Sequence, residues 1–414
     1  MVRDWRLFQG LPRPLRLLVF SQLVFNAGFY LVVPFLASYL EDDLRLSGAL
    51  VGIILGLRAF SQQGLFFLGG ALADWFGVKP LALTGIGIRV AGFLLLALGS
   101  ELTAVVVGVV LIGLAAALFS PASESAIAGL AGELAASGGP SRTQILGLQQ
   151  VASQTGAALG PLLGGLVVFV PFQATCAIAA GLFAGVGLMQ LCWLPAGLRV
   201  GRRARLAASL GAALGNRRFL AFAGLNCLQL VAYNQMYLAL PVEITRTGAG
   251  SGTITWYFLI ASVLVIGGQS VITRLTGDWP LRRVFRSGYL AMALAFAVVA
   301  AAVWRPSPGG LIGALPAAGF VILLHLGTMV INPRARDTVA VLANETNLGA
   351  HLGFMASVGG LAVLLAGGPL GALLEAARTP GVAALPPWLL LMALLSMVVV
   401  LAGPLLGWIL PEPE

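Results

Sequence analysis

Six groups that can carry charge lie inside stretches that are otherwise apolar: Arg58, Arg89, Glu124, His325, Arg334 and Arg336. An ionisable group costs ~2.5–3.5 kcal/mol or more at mid-bilayer and normally faces an interior cavity, so each is a candidate for holding a charged cargo or moving a proton. Glu124 is the one carboxylate of the first half that lies neither in a loop nor at a terminus. A proton-coupled site needs a carboxylate that alternately binds and releases a proton, and an imidazole such as His325 also changes charge near neutral pH. The competing roles are an ion pair between Glu124 and an arginine such as Arg336, and a packing hydrogen bond for His325. Uncharged polar residues recur at helical spacing: Gln22, Asn26 and Tyr30 are four apart, as are Gln229, Tyr233 and Tyr237. Such residues share one helix face, and with Gln150, Gln154, Asn234 and Arg58 they form a candidate substrate surface, the alternative being interhelical hydrogen bonds worth ~0.6 kcal/mol each.

The elements that position these groups follow from composition. The 414 residues are 59% hydrophobic and 9% charged, with 54 glycines and a mean hydropathy of +0.96. A soluble domain carries about 25% charge, so this chain is no ordinary soluble enzyme. A spanning helix needs about 20 apolar residues, and runs of that kind lie near 17–40, 49–72, 81–99, 103–129, 145–170 and 173–194, then 219–242, 253–274, 285–304, 310–335, 351–374 and 386–410. The expected fold is therefore all-α and integral to the membrane, with twelve spans. The polar stretch 195–218, which holds Arg199, Arg202, Arg203, Arg205, Arg217 and Arg218, divides the chain into six-helix bundles 1–194 and 219–414.

The net charge of +9 reads as topology rather than as a nucleic-acid footprint. With both termini in the cytoplasm, 18 of the 24 basic residues fall on inner segments, and Arg45, Arg246, Arg305 and Arg378 fall on outer ones. That is the positive-inside distribution. Cys176, Cys192 and Cys227 lie in apolar runs without metal-ligand spacing, and no nucleophile–base set or phosphate-binding loop is present. The expected partners are a small-molecule substrate, protons and the lipid bilayer, with no enzymatic activity, cofactor, metal or nucleic acid.

The two halves repeat. Gln22, Asn26, Tyr30 and Pro34 align with Gln229, Tyr233, Tyr237 and Pro241 at an offset of 207, three of the four positions being identical. Ser120-Pro121 through Glu124 to Glu133 is echoed by Asn332-Pro333 through Arg336 to Glu345 at 212, and Asp74-Trp75 by Asp278-Trp279 at 204. Three echoes in one order indicate a duplicated six-helix unit, an architecture in which secondary transporters hold substrate near the midplane and alternate access to it.

The segment Gly70-Ala-Leu-Ala-Asp74-Trp75-Phe-Gly77-Val78-Lys79-Pro80 resembles the cytoplasmic loop motif of the major facilitator superfamily. The resemblance implies a latch in which Asp74 meets the positive end of span 11, with Gly77 as the turn and Lys79 as the basic arm; Trp75 and Val78 stand where that motif carries two basic residues. Gly156-x₃-Gly160-Pro161-x₂-Gly164-Gly165 in span 5 resembles the antiporter motif of drug–proton exchangers. Glycines four apart let helices touch and Pro161 bends the span, so Gly160→Ala is expected to be mild and Gly160→Leu severe.

The string 52–64, running into the Asp74 loop, and Asn332-Pro333-Arg334-Ala-Arg336 through Gly353-Phe354 look like the MdtH group of bacterial multidrug efflux proteins. The arginine that the resemblance implies near Val109 is absent, so coupling is expected to fall to Glu124 or His325. Together these features imply a monomeric secondary transporter in the cytoplasmic (inner) membrane. It would export amphipathic drug-like compounds by proton antiport with alternating access, or, as the alternative drawn from Arg58 and Arg89, carry a specific anionic metabolite or lipid.

Overall fold

The structure, a computed structural model, describes residues 2–99, 101–166, 170–195, 206–343 and 348–409. Helix follows helix: α1 (Val2–Gly10), α2 (Arg13–Ser38), α3 (Gly48–Ala59), α4 (Phe66–Phe76), α5 (Val78–Leu98), α6 (Leu102–Ala136), α7 (Arg142–Leu166), α8 (Phe172–Trp193), α9 (Leu206–Gly215), α10 (Arg217–Arg246), α11 (Ile254–Leu275), α12 (Leu281–Val303), α13 (Gly310–Leu342), α14 (Leu348–Ala376) and α15 (Pro386–Ile409). Among the described residues there is no strand. Helices are the expected outcome in a bilayer because each satisfies its own backbone hydrogen bonds.

Nine of these segments are long and apolar enough to cross a membrane: Arg13–Asp43, α5, α6, α8 and α11 to α15. The sequence expects spans also at 49–72, 145–170 and 219–242, and the helices found there differ for chemical reasons. The first is broken into α3 and α4 by a π-helical turn, Phe60–Gly64. The others, α7 and α10, carry the polar residues, among them Gln149, Gln150, Gln154, Asn226, Gln229 and Asn234, which lower their hydropathy. Large apolar side chains such as Leu188, Val263, Leu365 and Val400 stay more than half exposed, a patchwork no soluble monomer tolerates and a bilayer covers.

The chain folds into two compact units, one comprising Met1–Val33 with Ser61–Leu206 and the other Pro34–Phe60 with Ala207–Glu414. The chain passes between them at Pro34, inside α2, at the π-helical turn, and at Leu206–Ala207. The first two are places where the regular backbone ladder is interrupted.

Small residues set the packing in each unit. In the first, α5 lies on α6 with Gly92 against Gly108, where a Cβ on Gly92 would sit 2.8 Å from the Gly108 carbonyl oxygen. An aromatic core closes around them, with Phe25 stacked on Phe119 at 3.6 Å and Phe183 edge-on to Phe25 at 5.1 Å. In the second, Gly48 and Gly52 of α3 lie directly on Gly371 and Gly367 of α14, leaving no room for any Cβ. Glu375 reinforces that seam by accepting the Gly48 N–H at 3.0 Å, and Arg378 pairs with Glu41. Deeper in the same unit, Trp388 of α15 is buried between Phe296 and Phe320.

Candidate substrate and coupling site

In the second unit, α3, α10 and α13 bring several of the expected residues together. Arg58, near the end of α3, is 4% exposed; its Nη2 donates to Asn234 Oδ1 at 3.3 Å and its guanidinium lies 5.1 Å from the centre of the Tyr237 ring. One turn earlier on α10, Tyr233 is half-buried and meets the rings of Tyr237 at 6.4 Å and His325 at 5.7 Å, both edge-on. His325 is buried, and its Nδ1 hydrogen-bonds the Val321 carbonyl at 2.8 Å. A carbonyl only accepts, so Nδ1 carries the proton and Nε2 is left to accept one. Another turn back, Gln229 donates to Asn332 Oδ1 at 2.6 Å. The α10 stripe therefore faces α3 and α13 as a ladder of amide, phenol and imidazole around one guanidinium.

The first unit carries the matching stripe on α2. Asn26 Nδ2 donates to Ser153 Oγ of α7 at 3.1 Å and to the Gln22 carbonyl at 2.9 Å. Gln22, Tyr30 and Gln154 are half-buried, whereas Gln150 is exposed. Gly156 and Gly160 press α7 onto α2. A Cβ on Gly160 would lie 2.6 Å from both the Ala27 carbonyl oxygen and the Tyr30 Cβ, and one on Gly156 would collide with the Leu23 carbonyl. Pro161, next to Gly160, and Gly164, one turn on, are buried, and Gly165 is half-buried. The contact is tighter than the sequence suggests, because backbone rather than a yielding side chain stands opposite Gly160.

Arg89 of α5, also in the first unit, is 3% exposed. Its guanidinium is enclosed by Phe25, Phe183 and Phe29 at 4.8, 5.1 and 5.9 Å from their ring centres. The phenylalanines escaped the sequence reading because rings on apolar spans look like ordinary core. Phe25 and Phe29, four apart on one face of span 1, were the available signal.

Glu124 is exposed on α6 rather than buried. Gly77 takes φ 88° at the start of α5, a conformation that favours glycine, and Lys79 donates to the Leu191 carbonyl at the end of α8 at 2.7 Å. The Asp74 side chain lies outside those described. Arg334 donates to the carbonyls of Gly277 and Trp279, the latter at 3.4 Å, while Arg336 is exposed. Two ion pairs went unread in the sequence, Glu41–Arg378 and the bidentate Glu243–Arg246 pair at 2.7 Å. Among the described residues no group of histidine, cysteine or carboxylate side chains could hold a metal. The assembled chemistry is that of recognition, with hydrogen-bonding groups and rings but no nucleophile set against a base.

The family model of the Major Facilitator Superfamily matches residues 18–367. An uncharacterised MFS-type transporter of Mycobacterium tuberculosis is 32% identical over 377 residues, covering 90% of this chain and 88% of that one. The multidrug resistance protein MdtH of Klebsiella pneumoniae is 29% identical over 387 residues, 91% of this chain and 90% of its own. Among solved structures, the nucleoside transporter NupG superposes with a TM-score of 0.76 at 16% identity, covering 96% of this chain and 99% of its own. A POT family transporter bound to 5-aminolevulinic acid gives 0.75 at 13%, covering 96% of each. At such identities these two establish the fold alone, but the family model and the relatives reach nearly the whole chain: this protein belongs to the major facilitator superfamily and is a membrane transport protein, not an enzyme.

Proposed function

We propose that the chain is a twelve-span secondary transporter of the cytoplasmic membrane, monomeric and with both termini inside, that exports amphipathic drug-like molecules by proton antiport with alternating access. The broken span α3–α4 and the polar helices α7 and α10 bring the nine apolar spans to twelve. The observation that carries the efflux reading is the likeness, along nine-tenths of the chain, to proteins named for multidrug resistance. The α2 stripe in one unit and the α10 stripe in the other each offer a surface suited to such cargo, because rings and neutral amides accept varied amphipathic shapes. Gating in this reading uses the junction of α4 and α5 at Gly77, where Asp74 lies in the last turn of α4 rather than in a loop, and the α2–α7 contact at Gly156 and Gly160. Glu124 and His325 are the groups that take up and release the proton.

A second reading, a specific anionic metabolite or lipid as cargo, draws on the two buried arginines. Three phenyl rings lie within 6 Å of the Arg89 guanidinium, whereas Arg58 is held by a neutral amide and a phenol ring that an anion can replace, so Arg58 is the arginine this reading rests on. The discriminating experiment is a thermal-shift screen of the purified protein against cationic, neutral and anionic ligands. Stabilisation by structurally unrelated amphipathic compounds is expected. Stabilisation by one anionic metabolite, with none from the amphipathic set, would replace the efflux reading with the second.

A further inference from the structure

The cytoplasm-facing end of α12, in the orientation set by the positive-inside distribution, carries Arg282, Arg283 and Arg286, all exposed. Arg282 and Arg286 are four apart and share a face; so do Gly403 and Gly407 on the neighbouring α15. The two pairs match turn for turn. A Cβ on Gly403 would lie 3.2 Å from Arg286 Cζ, and one on Gly407 would lie 2.5 Å from Arg282 Nη2 and 3.3 Å from its Cζ. Each guanidinium thus rests directly over a glycine, and a Cβ there would push that flexible end aside. Arg283 lies over the Trp279 ring at 4.3 Å, and Trp408, half exposed, sits one residue beyond Gly407.

The same face of α12 continues, again at four-residue steps, into Leu290 at 49% and Leu294 at 46% exposure, and α15 continues into Val400 at 69%. This surface is charged at its end, flanked by tryptophan, and apolar along its length. A soluble anion would use the guanidinium groups and ignore the apolar stripe, whereas a phospholipid uses both. Basic pockets between spans on the cytoplasmic side are the setting in which anionic headgroups bind.

We infer that the α12–α15 groove is a binding site for an anionic phospholipid of the cytoplasmic leaflet, its phosphate held by Arg282 and Arg286 and its acyl chain laid along Leu290, Leu294 and Val400. The inference rests on the orientation given in the proposed function, with both termini in the cytoplasm, and is independent of what the transporter carries. The full-length protein is extracted from vesicles of equal phosphatidylcholine and phosphatidylglycerol, and its retained lipid is counted by native mass spectrometry. The wild type is expected to retain phosphatidylglycerol about fivefold over phosphatidylcholine, and Arg282→Gln/Arg286→Gln to bring that ratio to about one. Gly403→Ala/Gly407→Ala, which keeps both charges but pushes the guanidinium groups aside, is expected to lower the ratio as well. Arg282→Lys/Arg286→Lys and the distant Arg142→Gln keep it, showing that fold and net charge are not responsible. An unchanged ratio in the Gln variant, or displacement of the lipid by millimolar glycerol phosphate, would overturn the site, the latter by identifying a soluble anion as its occupant.

Discussion

Arg58 and Arg89 are the same residue type at nearly the same burial, 4% and 3% exposed, yet the protein contains them in opposite ways. Arg58 is anchored to polar groups, an amide at 3.3 Å and a phenol ring, and that ring in turn meets a second tyrosine, which meets an imidazole. Arg89 is wrapped in three phenyl rings. A guanidinium over an aromatic face gains about 2 kcal/mol when desolvated, so several rings together can offset the ~2.5–3.5 kcal/mol that a mid-membrane arginine costs. The lesson is that a buried charge is not by itself a binding site. What surrounds it decides whether it can exchange partners, and neutral polar neighbours can be exchanged for cargo where rings cannot.

The widest separation is expected in transport. Arg58→Met should lower flux in reconstituted vesicles by tenfold or more, about 1.4 kcal/mol of lost transition-state stabilisation or greater, with Arg58→Lys restoring only part of it because a point charge cannot match the planar fork. Arg89→Met, similar in length and apolar, should retain flux within about twofold. Equal loss in both Met variants would erase the distinction between the two arginines.

Stability reverses the order. Arg89→Ala leaves a void among the rings and should cost ~3 kcal/mol, read as a lower midpoint in thermal unfolding, whereas Arg89→Met should stay within about 1 kcal/mol of wild type because the rings keep a partner and the charge penalty is lifted. A fall with Met as large as that with Ala would mean the charge itself holds the cage.

The glycine seams sharpen the comparison with a purely steric effect. Gly52→Ala in the α3–α14 seam and Gly160→Ala in the α2–α7 seam both bring a Cβ onto backbone, and overpacking of this kind costs ~1–3 kcal/mol. The small-residue rule taken from sequence made Gly160→Ala mild; with the Ala27 carbonyl oxygen 2.6 Å from the new Cβ, a measurable loss is expected instead. A Gly160→Ala protein as stable as wild type would show that α2 can move aside.

How far the sequence reaches follows from the same examples. Hydropathy made the helices and their membrane-spanning character legible, because a bilayer demands long apolar helices whatever the tertiary contacts. The Arg58–Asn234–Tyr237 association joins residues 176 and more positions apart, and periodicity could place these groups on helix faces but not choose the partner face. Arg89 and its phenylalanines were invisible as a unit because each ring alone is ordinary. Glu124 illustrates the opposite failure: its position in an apolar run suggested burial, and its actual exposure depends on which face of α6 its neighbours cover. Polar and ionic contacts of an exposed carboxylate are worth about 0–1 kcal/mol, so Glu124→Gln should shift thermal unfolding least, the smallest effect in the series.

That variant also provides the most direct test of proton-driven export. Vesicles containing the purified protein, loaded with a drug-like ligand identified by thermal shift, are given an imposed pH gradient, and gradient-driven accumulation is compared with downhill exchange. The account predicts accumulation against the ligand gradient in wild type, its loss in Glu124→Gln, and downhill exchange in both, since a neutral amide mimics the protonated acid but releases no proton. Full accumulation by Glu124→Gln would move the coupling role to His325, and wild-type exchange that ignores the pH gradient would contradict proton antiport altogether.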